Sequence, residues 1–160
     1  MKTQFDKLLP ALVQAGVEFV LIGGVAGIIH GAARVTYDVD IVYARSGANL
    51  ARLAAALAPL NPYLRGAPAG LPFRWDAATL RNGLNFTLTT AAGDIDLLGE
   101  VVGGGDYERL LPHSCEVEAF DVSFRCVSLA KLIELKRAAG RPKDFEAIAE
   151  LESLLDEQSL

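Results

Sequence analysis

Two pairs of aspartates alternate with apolar residues in this chain, at Asp38-Val39-Asp40-Ile41 and at Asp94-Ile95-Asp96-Leu97. In an extended strand, positions i and i+2 project from one face, so each pair sets two carboxylates side by side above an apolar underside. Like charges at that spacing repel, and a sheet face holds them best around a cation. Oxygen-only donors suit Mg²⁺, a hard ion that keeps several waters and shares its sites with substrate phosphates. Taken alone, an Asp-x-Asp is more often two solvated carboxylates at a strand end than a metal site. A second acidic strand with an apolar underside in the same short chain makes that plain alternative weaker.

Thirteen residues separate Ile22-Gly23-Gly24 from Asp38. An apolar run that breaks at two glycines and resumes as a helix exposes backbone N–H groups, and glycine lets an anion approach the backbone closely. The alternative is an ordinary tight turn. Gly23-Gly24-Val25-Ala26-Gly27 lacks the Gly-x-Gly-x-x-Gly spacing of dinucleotide sites, and no Gly-Lys-Ser/Thr follows, which excludes a P-loop.

These residues need a frame. Residues 5–15 show helical periodicity (Phe5, Leu8, Leu9, Leu12, Val13) and stop at Gly16. Residues 19–22 are wholly apolar, as expected of a strand buried on both faces, and residues 25–30 resume as a helix. Residues 36–43 form the first acidic strand, and residues 46–60 read as an Ala- and Leu-rich helix. Residues 61–76 contain Pro62, Gly66, Pro68, Gly70 and Pro72 and read as a loop. Residues 84–90 and 94–98 flank Ala91-Ala92-Gly93 as a hairpin, and 116–119 with 122–127 suggest another, after a flexible turn at Gly103-Gly104-Gly105. Ser128 is placed to cap a helix over 129–139 ending at Gly140, and Pro142 to open a last helix reaching about residue 155. The expectation is an α/β fold: a mixed sheet flanked by helices in one domain over residues 1–160, with a core at about 5–127 and C-terminal helices at 128–156.

In order and spacing, these motifs resemble the DNA polymerase β-type nucleotidyltransferase superfamily. Ile22-Gly23-Gly24-Val25-Ala26, His30-Gly31, Arg34, Thr36 and Asp38-Val39-Asp40 most resemble its AbiEii-like members, found in toxin–antitoxin and phage-defence systems. Lys136 and Arg141-Pro142-Lys143-Asp144 are similar to that group's later Lys and basic-Asp motifs. The resemblance implies a minimal form of that fold and transfer of a nucleoside monophosphate from an NTP to a hydroxyl on RNA, protein or a small molecule. Asp38 and Asp40 would hold two Mg²⁺ (or Mn²⁺), and Asp96, with Asp94 as the alternative, would complete the metal site. Gly23, Gly24, Arg34, Thr36 and Lys136 would contact the nucleotide, and a toxin or antitoxin protein becomes an expected partner. Many members have Gly-Ser where this chain has Gly23-Gly24, so here only backbone would serve. Two other readings share the motifs: an aminoglycoside- or lincosamide-modifying nucleotidyltransferase, and a catalytically silent nucleotide-binding partner that neutralises a toxin.

Lys136 has independent interest, because at 100° per residue it falls within the apolar arc of its helix, beside Leu129, Leu132, Ile133 and Leu135. A lysine there either snorkels past the core edge or reaches an anion. Arg34 precedes the acidic strand as either an anion contact or a solvated loop residue, and His30 reads as a partner for the end of its helix.

The chain of 160 residues carries 15 Lys and Arg against 20 Asp and Glu, and its formal charge of -5 argues against bulk nucleic-acid binding. The charge is uneven, however: residues 125–143 hold six basic side chains and one acid, and every charge from Asp144 onward is acidic. A basic stretch suits polyphosphate or RNA, or is simply a solvated face. The longest uncharged stretch, 19–33, is too short for the ~20 apolar residues that span a bilayer, so no membrane partner and a cytoplasmic location are expected. Two cysteines, Cys115 and Cys126, lack metal-ligand spacing and fall opposite one another in the second hairpin; free thiols are expected.

Overall fold

The structure is a computed structural model that describes residues 2–159. It has an α/β architecture: a mixed seven-stranded sheet flanked by helices. The elements are α1 (Phe5–Gln14), β1 (Phe19–Ile22), α2 (Gly23–Ile29), β2 (Asp38–Tyr43), α3 (Gly47–Leu57), β3 (Tyr63–Leu64), α4 (Ala77–Asn82), β4 (Asn85–Thr90), β5 (Gly93–Leu98), β6 (Glu100–Val101), β7 (Gly105–Asp106), α5 (Tyr107–Leu110), β8 (Ser114–Ala119), β9 (Val122–Val127), α6 (Leu129–Ala139) and α7 (Asp144–Gln158). Strand order in the large sheet is β3-β4-β5-β2-β1-β9-β8, and β6 and β7 pair separately.

The strands that matter most are central. β2 pairs parallel with β5 on one side and antiparallel with β1 on the other, and β1 pairs parallel with β9. Central position explains the composition: all four residues of β1 are buried, and in β2 and β5 buried Val39, Ile41, Ile95 and Leu97 alternate with half-buried aspartates. Burying a side chain such as Leu97 contributes about 1.5–3 kcal/mol, so the apolar underside holds the acidic strands in register against their repulsion.

Helix ends follow capping rules. Ser46, Asp76, Asp106 and Ser128 each accept a hydrogen bond from the backbone N–H three residues on, opening α3, α4, α5 and α6. Gly140 closes α6 in the left-handed conformation. The differences from the sequence reading are local. β3 falls in the stretch read as a loop and β7 overlaps the glycine turn, because pairing to a neighbour rather than periodicity forms them, while β6, α4 and α5 are short elements in stretches to which the sequence reading assigned none. α2 begins at Gly23 rather than after the diglycine, and β2 at Asp38 rather than residue 36. Pro142 sits in a turn before α7, which begins at Asp144 and ends at Gln158. α2, α6 and α7 pack together around the face on which the aspartates stand, and no described helix is long and apolar enough to cross a membrane.

Candidate functional site

Register brings the two acidic strands into one cluster. Asp38 lies opposite Asp94, and Asp40 opposite Asp96, across the parallel β2–β5 pair. One carboxylate oxygen from each of Asp38, Asp40 and Asp96 lies within 4.8 Å of the other two. Asp94 stands outside that triad, with Oδ2 at 3.4 Å from Arg65 Nε. Geometry therefore separates the two candidates for the third carboxylate: Asp96 joins the cluster and Asp94 faces an arginine.

The diglycine is required by that cluster. Ile22 pairs with Asp40, so β1 turns into α2 directly beside the carboxylate, with Gly23 at φ +73°. A Cβ on Gly23 would run into Asp40 Oδ2 and stand 2.9 Å from its carboxyl carbon. A Cβ on Gly24 would stand 2.5 Å from Thr36 Oγ1. Thr36 thus fills the space against Gly24, and its hydroxyl donates weakly to the Asp38 carbonyl at 3.4 Å.

Electrostatically the cluster is short of cations. Burial above all, then the charge of Asp38 and contact with Asp96, push the Asp40 carboxyl up to about 8. Asp38 is raised as well, by burial first and Asp96 second, with Arg65 opposing. Asp96 Oδ1 is buried without a hydrogen-bond partner: Arg65 Nη2 is 2.9 Å away, close enough for an ion pair but off the direction of a hydrogen bond. Oxygen-only donors, a carboxyl that holds its proton near neutrality and an orphaned buried oxygen together fit a hard divalent cation.

The cluster forms one wall of a cleft of about 650 Å³. Arg34, Lys136, Arg141 and Lys143 line it from the helical side. Arg34, Lys136 and Arg141 are pre-paired with α7. Buried Asp144 accepts from Arg141 Nε at 2.8 Å and from Nη2 at 3.3 Å, and lies 3.9 Å from Lys136 Nζ. Arg34 reaches Glu150 at 3.3 Å and Glu146 at 3.5 Å. Asp38, Asp40, Asp96, Gly23, Gly24, Arg34, Thr36 and Lys136 all line the same cleft.

The basic stretch of residues 125–143 is split by the fold. Arg125 turns away to Ser114, Lys131 pairs with Glu134 at 3.1 Å, and Arg137 pairs with Glu152. Only Lys136, Arg141 and Lys143 of that stretch face the cleft. His30 ends α2 with its ring 2.7 Å from the Val127 carbonyl, which ties the helix to β9 and leaves it outside the cleft lining. Cys115 and Cys126 are opposed in register and free, and burial pushes the Cys126 thiol up to about 12.

Arg65 is the site residue that sequence reasoning missed. It lies in the Pro- and Gly-rich stretch after β3, where nothing in local pattern marks it, and only the β3–β4 pairing brings it to the carboxylates. Asp144 was legible as a helix-start acid but not as the buried partner of two cations. No protein-family model matches the chain, and no curated protein matches it.

Proposed function

We propose that the chain is a divalent-metal-dependent nucleotidyltransferase that moves a nucleoside monophosphate from an NTP to a hydroxyl acceptor on RNA, protein or a small molecule. The observation that carries this reading is the convergence of Asp38, Asp40 and Asp96 on one wall of a cleft whose other wall presents cations. In this reading the three carboxylates hold Mg²⁺, for which Mn²⁺ substitutes. Such ions, when bound, supply charge neutralisation on the phosphates and a lowered pKa for an attacking hydroxyl.

The chain's own residues position and polarise. Asp96, whose Oδ1 has no hydrogen-bond partner, accepts the proton of the acceptor hydroxyl. The hydroxyl oxygen bonds to the α-phosphorus as the bond to pyrophosphate breaks, and Lys136, Arg141 and Lys143 stand on the side suited to the leaving charge. Gly23 and Gly24 keep side chains out of the space beside Asp40, where a phosphate approaches backbone. Arg34 and Thr36 border the same space. A role within a toxin–antitoxin pair belongs to this proposal as the setting in which such a transferase acts.

The test is incubation of each labelled NTP, with Mg²⁺, against total cell RNA, protein and metabolites. Label transfer that vanishes in the Asp38→Ala/Asp40→Ala variant supports the reading. Label on an aminoglycoside or lincosamide assigns the acceptor class. Binding of NTP by calorimetry with no pyrophosphate release replaces the transferase with a nucleotide-binding partner, and transfer retained by the double variant overturns the assignment of the carboxylates.

A further inference from the structure

Arg65 sits among the carboxylates in an unusual way. Its backbone N–H donates to the Thr87 carbonyl at 3.0 Å and its Nη2 donates to the Leu88 carbonyl at 2.8 Å, so β4 holds both ends of the residue. From there the guanidinium reaches three aspartates at once: Nη2 to Asp96 Oδ1 at 2.9 Å, Nε to Asp94 Oδ2 at 3.4 Å and Nη1 to Asp38 Oδ2 at 3.8 Å. None of the three is a directed hydrogen bond, and Nε, although buried, has no hydrogen-bond partner at all. A guanidinium that belonged to these carboxylates structurally would meet one of them as a planar, two-pronged fork. Here charge attraction holds it, and its one well-made side-chain hydrogen bond goes to a backbone carbonyl instead.

Asp38 and Asp96 belong both to the arginine's partners and to the triad that converges within 4.8 Å. A divalent ion bound to those oxygens at about 2.1 Å would stand within a few ångströms of Nη2, where two cations repel strongly. The ion and the guanidinium therefore compete for the same two carboxylates, Asp38 and Asp96. Arg65 stands at the start of a glycine-containing turn: Gly66 has φ +79° and Gly70 φ +89°, a Cβ on either would meet open space, and Tyr63 ties the turn together by donating from its hydroxyl to the Pro68 carbonyl and accepting from the Leu71 N–H.

We propose that Arg65 is a resident counter-cation of the Asp38–Asp40–Asp96 cluster which a divalent ion must displace, so that this residue sets the affinity of the site for metal. The inference rests on the reading of the three carboxylates as metal ligands. Arg65 is a positioning residue in this account: it holds the carboxylates together when no metal is bound and exacts a cost in affinity when one enters.

Mn²⁺ binding read by calorimetry, with electron paramagnetic resonance as a second readout, tests this on the full chain with four proteins: the wild type, Arg65→Gln, Arg65→Lys and Asp40→Asn. Neutral glutamine removes the competing charge, and Mn²⁺ affinity is expected to rise by about tenfold or more, given the strength of charge interactions at this range. Arg65→Lys keeps the charge and is expected to stay within about threefold of the wild type. If Arg65→Gln loses its fold without metal, the midpoint of Mn²⁺-dependent refolding gives the same comparison, and refolding at lower Mn²⁺ than the wild-type binding midpoint supports the proposal. Unchanged or weaker binding by Arg65→Gln, or tightening by Arg65→Lys to the same degree, overturns it while Asp40-dependent binding leaves the metal site standing. Absence of Asp40-dependent Mn²⁺ binding in every variant overturns both.

Discussion

The two walls of the cleft solve the problem of enclosed charge in opposite ways. On the helical wall, Asp144 is buried to 4% exposure and is met by Arg141 and Lys136, while Arg34 is held by Glu146 and Glu150. On the sheet wall, half-buried Asp40 faces Asp38 and Asp96, and the nearest arginine addresses its neighbours rather than itself. Buried charge is stable when paired and costly when it is not. One wall is internally neutralised and structurally finished; the other is assembled by the apolar underside of β2 and β5 and left short of positive charge. The difference leaves the unmet charge on the sheet wall, while the helical wall keeps its paired cations in place beside it.

The sharpest way to break this contrast is to empty the sheet wall. Asp38→Ala/Asp40→Ala is expected to lower nucleotide transfer by about 10³-fold or more, while circular dichroism and thermal melting report a folded chain of equal or higher stability. If the double variant unfolds, the carboxylates are structural and the contrast fails.

Gly23→Ala follows in size. It forces a side chain at φ +73° into the Asp40 carboxylate and is expected to cost about 2 kcal/mol or more, read by urea denaturation, together with loss of transfer. Tolerance of that alanine in both assays shows that the β1–α2 turn does not press on the cluster.

Titration sharpens the comparison on the sheet wall. The Asp40 carboxyl ionises at about 8 when folded and near the ordinary 3.8 when unfolded. Between those values the folded chain keeps a proton that the unfolded chain has released. The contribution of Asp40 to stability is therefore complete below about pH 4, declines as pH rises through the window and levels off above about 8. Asp40→Asn, which cannot ionise, is expected to gain stability relative to the wild type progressively from pH 4 to 8, measured as paired melting temperatures in a chelator. A gap that stays constant with pH removes the claim of uncompensated charge, and Mg²⁺ is expected to narrow the gap by favouring ionised Asp40.

The helical wall supplies the smaller effects. Asp144→Ala strands Lys136 beside the core edge and frees Arg141, at an expected cost of about 1–3 kcal/mol in denaturant titrations. Arg34→Ala removes only partly exposed ion pairs and is expected to cost less than about 1 kcal/mol, with any change in transfer appearing in KM for the NTP rather than in kcat. A stability loss from Arg34→Ala larger than that from Asp144→Ala reverses the ranking of the two.

Much of this was legible along the chain because it is local. The alternation at residues 38–41 and 94–97 specifies strands with an acidic face, and Ser128 marks the start of α6 as its cap. The short elements β3, β6 and β7 were not legible, since two-residue strands carry no period and exist only through their partners. The basic stretch misled for a related reason. Its six cations share a segment but not a direction, and strand–helix geometry sends Arg125, Lys131 and Arg137 away from the cleft.

The amino-acid sequence by itself determined the acidic strands, the glycines between β1 and α2, and the apolar undersides that drive the sheet together, because each follows from residue type and spacing of two to four positions. Tertiary structure alone decided three things. Parallel pairing of β2 with β5 set Asp40 opposite Asp96 and chose Asp96 over Asp94 for the triad. Packing of α6 against α7 turned Asp144 from a helix-start acid into a buried anchor for Lys136 and Arg141. Pairing of β3 at the sheet edge carried Arg65 across to the carboxylates. All three depend on contacts between residues 24 to 56 positions apart or on the packing of whole helices, and such contacts are fixed by register and burial rather than by any pattern a local stretch of chain can display.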